Sequence, residues 1–403
     1  MKEFLKVVHF TEALNMVKTN FPGARQQLID IKAAYNRVLS QEVLSKENLP
    51  AFNRSTIDGY AVIAEDTFGS SESLPSFLNQ SGEVIMGEKS QVELKPGQCW
   101  WIPTGGMLPP GANAAVMVEH TEKIGEDTVL VYKPVGPFEN VMKEGEEVAR
   151  GQKILGPGKV LGPQDIGMLA SLGINQILVN QPYKIGLIST GDEVIPVDQI
   201  PRPGQIRDVN TYTLAAAVQS CGGIPTPFPI VEDSFAMLKE TVEKALIECD
   251  AVILSGGSSV GIKDMAVDVL LSFPDSELLF HGIAVKPGKP TLAARIGKKI
   301  VIGLPGHPVS ALMMFFIICR PALWPKPLPS VPAQLSINIA SQAGRDDFVP
   351  VRLIKNGETF LAQPLLGKSG FMIVLSQADG YIHIPYEEQG KKKGDTVLVN
   401  LFS

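Results

Sequence analysis

The chain has 403 residues, 44% hydrophobic and 19% charged, with a formal net charge of −6. That length exceeds one compact core and predicts two to four domains. The mildly acidic balance argues against a general nucleic-acid or anionic-membrane binder, so an anionic ligand would need a local basic cluster.

The first residues, MKEFLKVVHF, lack the apolar core and cleavage site of a secretion signal. Thr11, with Glu12 in the first turn, predicts a short helix. Asp30 predicts a second, carrying Ala33, Ala34 and Leu39, so residues 1–47 read as helical. Over 48–140, runs such as AVMVEH and DTVLVYK separated by PG, GG and PPG turns predict a small β domain. Residues 141–180 read as a return crossing, with a helix from Pro163 ended by Gly173 and a strand at INQILV.

From residue 181 the pattern changes. KIGLIST, a strand ending at Val231, AVILSGG and KIVIGLPG read as strands. Helices over Asn210–Cys221, from Ser234 and from Val309 alternate with them, which predicts a parallel, doubly wound sheet. The apolar run Ala311–Cys319 is too short to span a bilayer and reads as a buried helix. Pro325–Pro332 is a proline-rich linker. QLSINIA, FVPVRLI and DTVLVNLF then alternate as in a small β-barrel or sandwich. The four cysteines, Cys99, Cys221, Cys249 and Cys319, form no CxxC pair, which suits a reducing cytoplasm.

In open α/β sheets ligands sit beyond the carboxyl ends of the strands, and three such ends carry unusual loops. Ser255-Gly256-Gly257-Ser258-Ser259-Val260-Gly261, followed by Asp264, lets backbone N–H groups approach an anion, or is a tight turn with Asp264 as a cap. Gly303-Leu-Pro305-Gly-His307-Pro308-Val-Ser310 is a rigid loop whose Ser310 can meet an oxyanion, or a stiff connection with Pro308 in the first helical turn. Lys286-Pro-Gly-Lys289-Pro290 holds two lysines on a proline-stiffened turn and is the best local cationic cluster, or is an ordinary solvated loop, the reading its stiffness favours less. Two acidic motifs, Thr190-Gly-Asp-Glu193 and Ser55-Thr-Ile-Asp58-Gly-Tyr-Ala61, place carboxylates at loop tips. There they can hold Mg²⁺ through water and bridge it to phosphates, or serve as turn residues and caps.

The ordered set STIDGYA, WIPTGGMLPPGANAAVMVE, TGDE, SGGSSVG with Asp264, KPGKP and GLPGHPVS resembles the MoeA family of molybdopterin molybdenumtransferases, to which the E domain of gephyrin is similar. The resemblance runs over essentially the whole chain. It implies an elongated homodimer with a helical linker subdomain (1–47 and 141–180), a β-rich insertion (48–140), a molybdopterin-binding α/β domain (181–326) and a C-terminal β-barrel (327–403). It implies a cleft built by both subunits, with Asp58 acting across the dimer. The reaction it implies is molybdate plus adenylylated molybdopterin giving molybdenum cofactor and AMP, in the cytoplasm. The adenylyltransferase and molybdoenzyme apoproteins would be partners, and neither nucleic acid nor membrane is implied.

On that resemblance Asp58, Glu193 and Asp264 are the catalytic and Mg²⁺-handling carboxylates. Thr104, Ser255, Gly256, Gly257, Ser259, Gly261, Lys286, Lys289, Pro305, Pro308 and Ser310 bind substrate. The two lysines hold molybdate, while Arg345 and the loop Gly367–Gly370 close over the anion. The dithiolene sulfurs come from the pterin. Five positions depart from the family pattern: Ile57 for methionine, Asn113 for aspartate, Glu147 for aspartate, His307 for asparagine and Gly282 for a basic residue. The alternatives are a tungstate-inserting paralogue, a non-catalytic molybdopterin-binding scaffold, and the related adenylyltransferase. The last normally lacks the STIDGYA region and the β tail.

Overall fold

The computed structural model describes residues 7–256, 263–367 and 370–402. Its contacts divide the chain into two units, residues 28–179 on one side and 1–27 with 180–403 on the other. Helix α1 (Phe10–Asn20) thus belongs with the C-terminal part rather than with residues 141–180. The second helix expected after Asp30 does not form. Asp30 caps a single 3₁₀ turn, Ile31–Ala33, by accepting from the Lys32 N–H at 2.8 Å. Asn36 at φ 58° then takes the chain out of helical geometry.

In the 28–179 unit six strands form one sheet: β1 (Gly59–Val62), β2 (Ser76–Glu83), β3 (Gln98–Ile102), β4 (Ala114–Met117), β5 (Thr121–Ile124) and β6 (Thr128–Val131). Their order is β4-β1-β3-β2-β6-β5, all neighbours antiparallel except β2 and β3. Period-two alternation buries both faces. Tyr60, Val62, Cys99, Ala114 and Val116 pack on one side, and Ala61, Trp100, Ile102 and Ala115 on the other. The remaining residues of the unit gather around Leu39, Leu161, Leu169 and Val179, with helix α2 (Pro163–Ser171) as their one α-helix among the described residues.

The other unit holds two six-stranded sheets. The first contains β7 (Lys184–Ser189), β8 (Ile224–Pro227), β9 (Ala251–Ser255), β10 (Ser276–His281), then, after the short β11 (Val285–Lys286), β12 (Leu292–Ile296) and β13 (Lys299–Leu304). Its order is β8-β7-β9-β13-β12-β10. The first four strands are parallel as expected, but β12 and β10 add an antiparallel edge. Strand β12 runs into β13 through Gly297 and Lys298 alone, too short for a crossover, so the two pair antiparallel. Helices α3 (Asn210–Ser220), α4 (Phe235–Glu248), α5 (Lys263–Leu271) and α6 (Pro308–Met314) connect the strands. The apolar run after α6 continues as a buried π-helix, Phe315–Cys319, and no described helix is long and apolar enough to cross a membrane.

The C-terminal strands are β14 (Ser330–Leu335), β15 (Asp346–Asn356), β16 (Thr359–Pro364), β17 (Gly380–Ile384) and β18 (Thr396–Leu401). They close a five-stranded barrel through the β15–β17 pairing, and β11 is attached to the start of β15. Ala333, Leu335, Ile382, Ile384, Val397 and Val399 alternate inward to fill it.

Candidate active site

Strands β7, β9 and β13 end side by side, with Ser189 registered against Ser255 and Ser255 against Leu304. A buried polar knot fixes these ends. The Ser189 hydroxyl donates to Asp208 Oδ1 at 3.0 Å and lies 2.9 Å from the Thr211 hydroxyl and 3.1 Å from that of Ser255. The Thr211 N–H also donates to Asp208 Oδ1, at 3.0 Å. Gly256 is needed where it stands: its φ is 110°, and a Cβ would lie 2.2 Å from the Thr190 carbonyl oxygen. Gly257, Ser259 and Gly261 lie outside the described residues. Asp264 is the second residue of α5, with its side chain likewise outside them. Pro305 is buried after β13, and Pro308 opens α6. Asn210 Nδ2 donates to the Gly306 carbonyl of that loop at 2.9 Å.

Glu193 is exposed on the loop after β7. Sequence reasoning missed its neighbour Asp233. The Asp233 N–H donates to Asp192 Oδ1 at 2.9 Å, and its own Oδ1 is buried without a partner. Burial first, then the charges of Asp192 and Glu193, hold the Asp233 carboxyl above its ordinary pKa. An isolated parallel bridge between Thr190 and Val231, beyond the ends of β7 and β8, brings the acids that follow each to the same sheet edge, a long-range pairing that spacing along the chain does not reveal. No three His, Cys, Asp or Glu side chains among the described residues are grouped to hold a metal. Mg²⁺ keeps most of its waters and takes one or two carboxylates with substrate phosphates. The partnerless Asp233 oxygen beside two further carboxylates fits that donor set.

A second feature of the same unit is a cleft of about 800 Å³ lined by Lys286, Lys289, Ser310, Arg345, Asp347 and Gly367 among others. Both lysines are exposed and Ser310 is buried. The KPGKP turn is pressed onto α6. Gly288 has φ 108°, a Cβ there would lie 2.2 Å from Met314 Sδ, and the Thr291 hydroxyl donates to the Gly288 carbonyl at 2.7 Å. Strand β11 runs parallel to the start of β15, which sets Lys286 opposite Asp347. The buried Asp347 carboxylate accepts from Arg345 Nε at 2.8 Å. Among the described residues, three cations therefore face one space with a single neutralising carboxylate in its lining. Lys368 and Ser369 lie outside the described residues.

Asp58 and Thr104 lie in the 28–179 unit. Asp58 Oδ1 accepts from the Thr104 N–H at 2.6 Å and the Thr104 hydroxyl at 3.0 Å, and these two bonds hold the exposed carboxyl below its ordinary pKa. The loop is knitted from below: the Ser55 N–H donates to the Gly106 carbonyl, and the Gly105 N–H to the Ser55 carbonyl. The departure at Asn113 has a local explanation. Its Oδ1 accepts from the Ala64 N–H at 2.7 Å while its Nδ2 donates to Glu65 at 3.3 Å, a pair of roles an aspartate cannot fill.

Comparison with known proteins adds three family matches in chain order. The MoeA N-terminal region (domain I and II) matches residues 8–173, a probable molybdopterin binding domain 186–324, and the MoeA C-terminal region (domain IV) 332–402. A molybdopterin molybdenumtransferase of Haemophilus influenzae is 30% identical over 393 residues, covering 95% of each chain. Molybdopterin molybdenumtransferase 2 of Mycobacterium tuberculosis is 32% identical, covering 81% of this chain and 83% of its own. The crystal structure of a molybdopterin biosynthesis MoeA protein from Pyrococcus horikoshii superposes with a TM-score of 0.85 at 34% identity, over 99% of this chain and all of that one.

Proposed function

The chain belongs to the MoeA family, and on that premise we propose that it transfers molybdenum from molybdate to adenylylated molybdopterin, yielding molybdenum cofactor and AMP. The observation that carries this reading is the cleft in which Lys286, Lys289 and Arg345 converge beside Ser310. A tetrahedral dianion needs convergent cationic donors, and an acidic chain offers them only where they are built in. Lys286 and Lys289 neutralise the oxyanion from a stiff turn, so little side-chain freedom beyond their own is lost on binding. Arg345, oriented by Asp347, presents its remaining N–H groups from the barrel side.

The carboxyl ends of β7, β9 and β13 would receive the phosphorylated pterin, with the Ser255–Gly256 turn admitting backbone donors to phosphate. Glu193 and Asp233 would hold Mg²⁺ there, with Asp264 at the head of α5 as a third carboxylate. The ion would supply charge neutralisation on the phosphoanhydride. A bound cation would favour the ionised form of Asp233 and so offset the burial and neighbouring charges that raise its pKa. Asp58 is held ionised by the two Thr104 donors on Oδ1, which leaves its other oxygen to orient a donor of the bound substrate. The assignment of Asp58 to a cleft shared by two subunits, the homodimer, the cytoplasmic location and the handover to molybdoenzyme apoproteins belong to the same proposal. They rest on family membership.

The test is AMP release from adenylylated molybdopterin by the purified protein with Mg²⁺. Release that depends on molybdate and disappears in Asp264→Ala supports the reading. Tight pterin binding without release, with either molybdate or tungstate, would leave a binding protein.

A further inference from the structure

Beneath the cationic cleft lies a carboxylate that the reaction does not use. Asp346, the first residue of β15, is buried and lies between two imidazoles. His383 Nε2, from β17, stands 2.6 Å from Asp346 Oδ1. His9 Nε2, from the cap of α1, stands 3.7 Å from Oδ2, which is buried and has no hydrogen-bond partner. His9 Nδ1 accepts from the Thr11 N–H at 3.3 Å, so in the neutral ring the proton sits on Nε2 and faces Asp346. The His383 ring is locked by stacking on Phe348, with centroids 4.7 Å apart and planes 6° from parallel. Phe10 of α1 meets both rings edge-on.

The backbone of Asp346 joins the same junction. Its N–H donates to the Ala284 carbonyl at 2.9 Å, the Ala284 N–H donates to the Val8 carbonyl at 3.0 Å, and the Val8 N–H donates to the Gly282 carbonyl at 3.1 Å. Three chain segments therefore meet at one residue. These are the N-terminal stretch before α1, the strand leading into Lys286, and the strand whose neighbouring residues are Arg345 and Asp347. Strand β11 registers Lys286 on Asp347, so the seat of Asp346 decides where its neighbour Arg345 stands relative to the KPGKP turn.

We propose that His383 and His9 are positioning residues for the oxyanion: by clamping Asp346 from two elements they set the spacing between Arg345 and the KPGKP lysines. This rests on the reading of that cleft as the molybdate site. The imidazoles do not touch the anion. They act through Asp346 on the geometry of the three cations.

The test pairs His383→Phe, which keeps the stack on Phe348 and removes the donor, with His383→Gln, which restores an N–H near Nε2. Oxyanion affinity is measured by calorimetry with molybdate and with sulfate as a chemically similar probe. Molybdate KM, kcat and molybdopterin affinity are followed alongside. His383→Phe is expected to weaken oxyanion binding and raise molybdate KM about tenfold, as small displacements of positioned groups do, with kcat and molybdopterin affinity nearly unchanged. His383→Gln should recover most of the loss. Unchanged oxyanion affinity in His383→Phe would overturn the inference. So would an equal loss of oxyanion affinity, kcat and pterin affinity, or a failure of His383→Gln to recover. If the wild type binds oxyanions and His383→Phe weakens them, but no molybdate-dependent AMP release occurs, the positioning role stands and the transferase reading falls. A wild type that binds neither oxyanion overturns both.

Discussion

Asp58 and Asp233 stand in different units, and their surroundings pull in opposite directions. The protein completes Asp58 itself: two donors from Thr104 lie on one oxygen, the side chain stays in water, and its pKa falls. Asp233 is left incomplete. One oxygen is buried without a partner, two further carboxylates stand nearby, and its pKa rises. A carboxylate with its hydrogen bonds already made is held in place and charged, which suits a group that orients a substrate. One that is desolvated and repelled is costly until a ligand arrives, which suits a group that receives a cation. The same chemical function is thus prepared for two tasks by what each loop supplies around it.

The sharpest way to break this comparison is to crowd the glycines beside each site, Gly59 next to Asp58 and Gly256 against Thr190, which bridges to Val231 near Asp233. At Gly59 a Cβ would lie 1.9 Å from the Val116 carbonyl oxygen, and at Gly256 2.2 Å from that of Thr190. Valine at either position should cost about 3 kcal/mol or more, seen as a lowered melting temperature and lost AMP release. Tolerance of both would mean that neither loop is held as tightly as its contacts imply.

Asp233→Asn comes next. It should reduce molybdate-dependent AMP release about a hundredfold, the scale of one lost electrostatic partner of the transition state. The same change should stabilise the ligand-free protein at neutral pH. The sign follows from linkage. Asp233 has a folded pKa above its ordinary 3.8, so its contribution to stability is present below that value and lost as pH rises through the folded one. Melting curves from pH 3 upward would therefore show a neutral-pH advantage of Asp233→Asn that vanishes on acidification. A variant less stable than wild type at neutral pH would contradict the incomplete environment assigned to Asp233.

Lys286→Ala extends the comparison to the cationic cleft. It should raise molybdate KM about tenfold and leave molybdopterin affinity nearly unchanged, since its charge acts locally. Equal losses for both substrates would place Lys286 elsewhere in the reaction. The smallest effect is expected for Thr104→Val, which removes one of the two donors to Asp58 and keeps the backbone one. Activity should fall about threefold, and the acid limb of its pH profile should move upward, because the hydroxyl contributes to the lowered pKa. An unmoved acid limb would dissociate Asp58 from the rate.

Much of this was legible in the residues. Period-two runs marked the strands of both β regions, and strand–helix alternation after residue 181 located the parallel sheet and the loops at its carboxyl ends. The misreadings have local causes. Asp30 carries a helix-capping signal that is real but serves one 3₁₀ turn, because Asn36 takes a left-handed conformation six residues on. The antiparallel edge of the sheet could not be read from LAARI alone, since direction is set by the connection that joins the strand to its neighbour. At the site, the KPGKP lysines stood out by composition. Asp233 and Asp346 did not, because both depend on long-range pairing: one through the Thr190–Val231 bridge, the other through His9 and His383, 337 and 37 positions away in the chain. Spacing along a sequence carries no trace of such meetings.

All four thiols are buried, and burial pushes the Cys99 thiol up to about 12 and raises those of Cys221, Cys249 and Cys319. Molybdenum is attracted to soft sulfur, so a reactive thiolate on the enzyme would be a rival acceptor, and an oxidised one a cross-link between copies. With every cysteine protonated and inaccessible, the only thiolates on offer during the proposed transfer are those of the incoming pterin. The direction of delivery in that transfer is then favoured before any catalytic group acts.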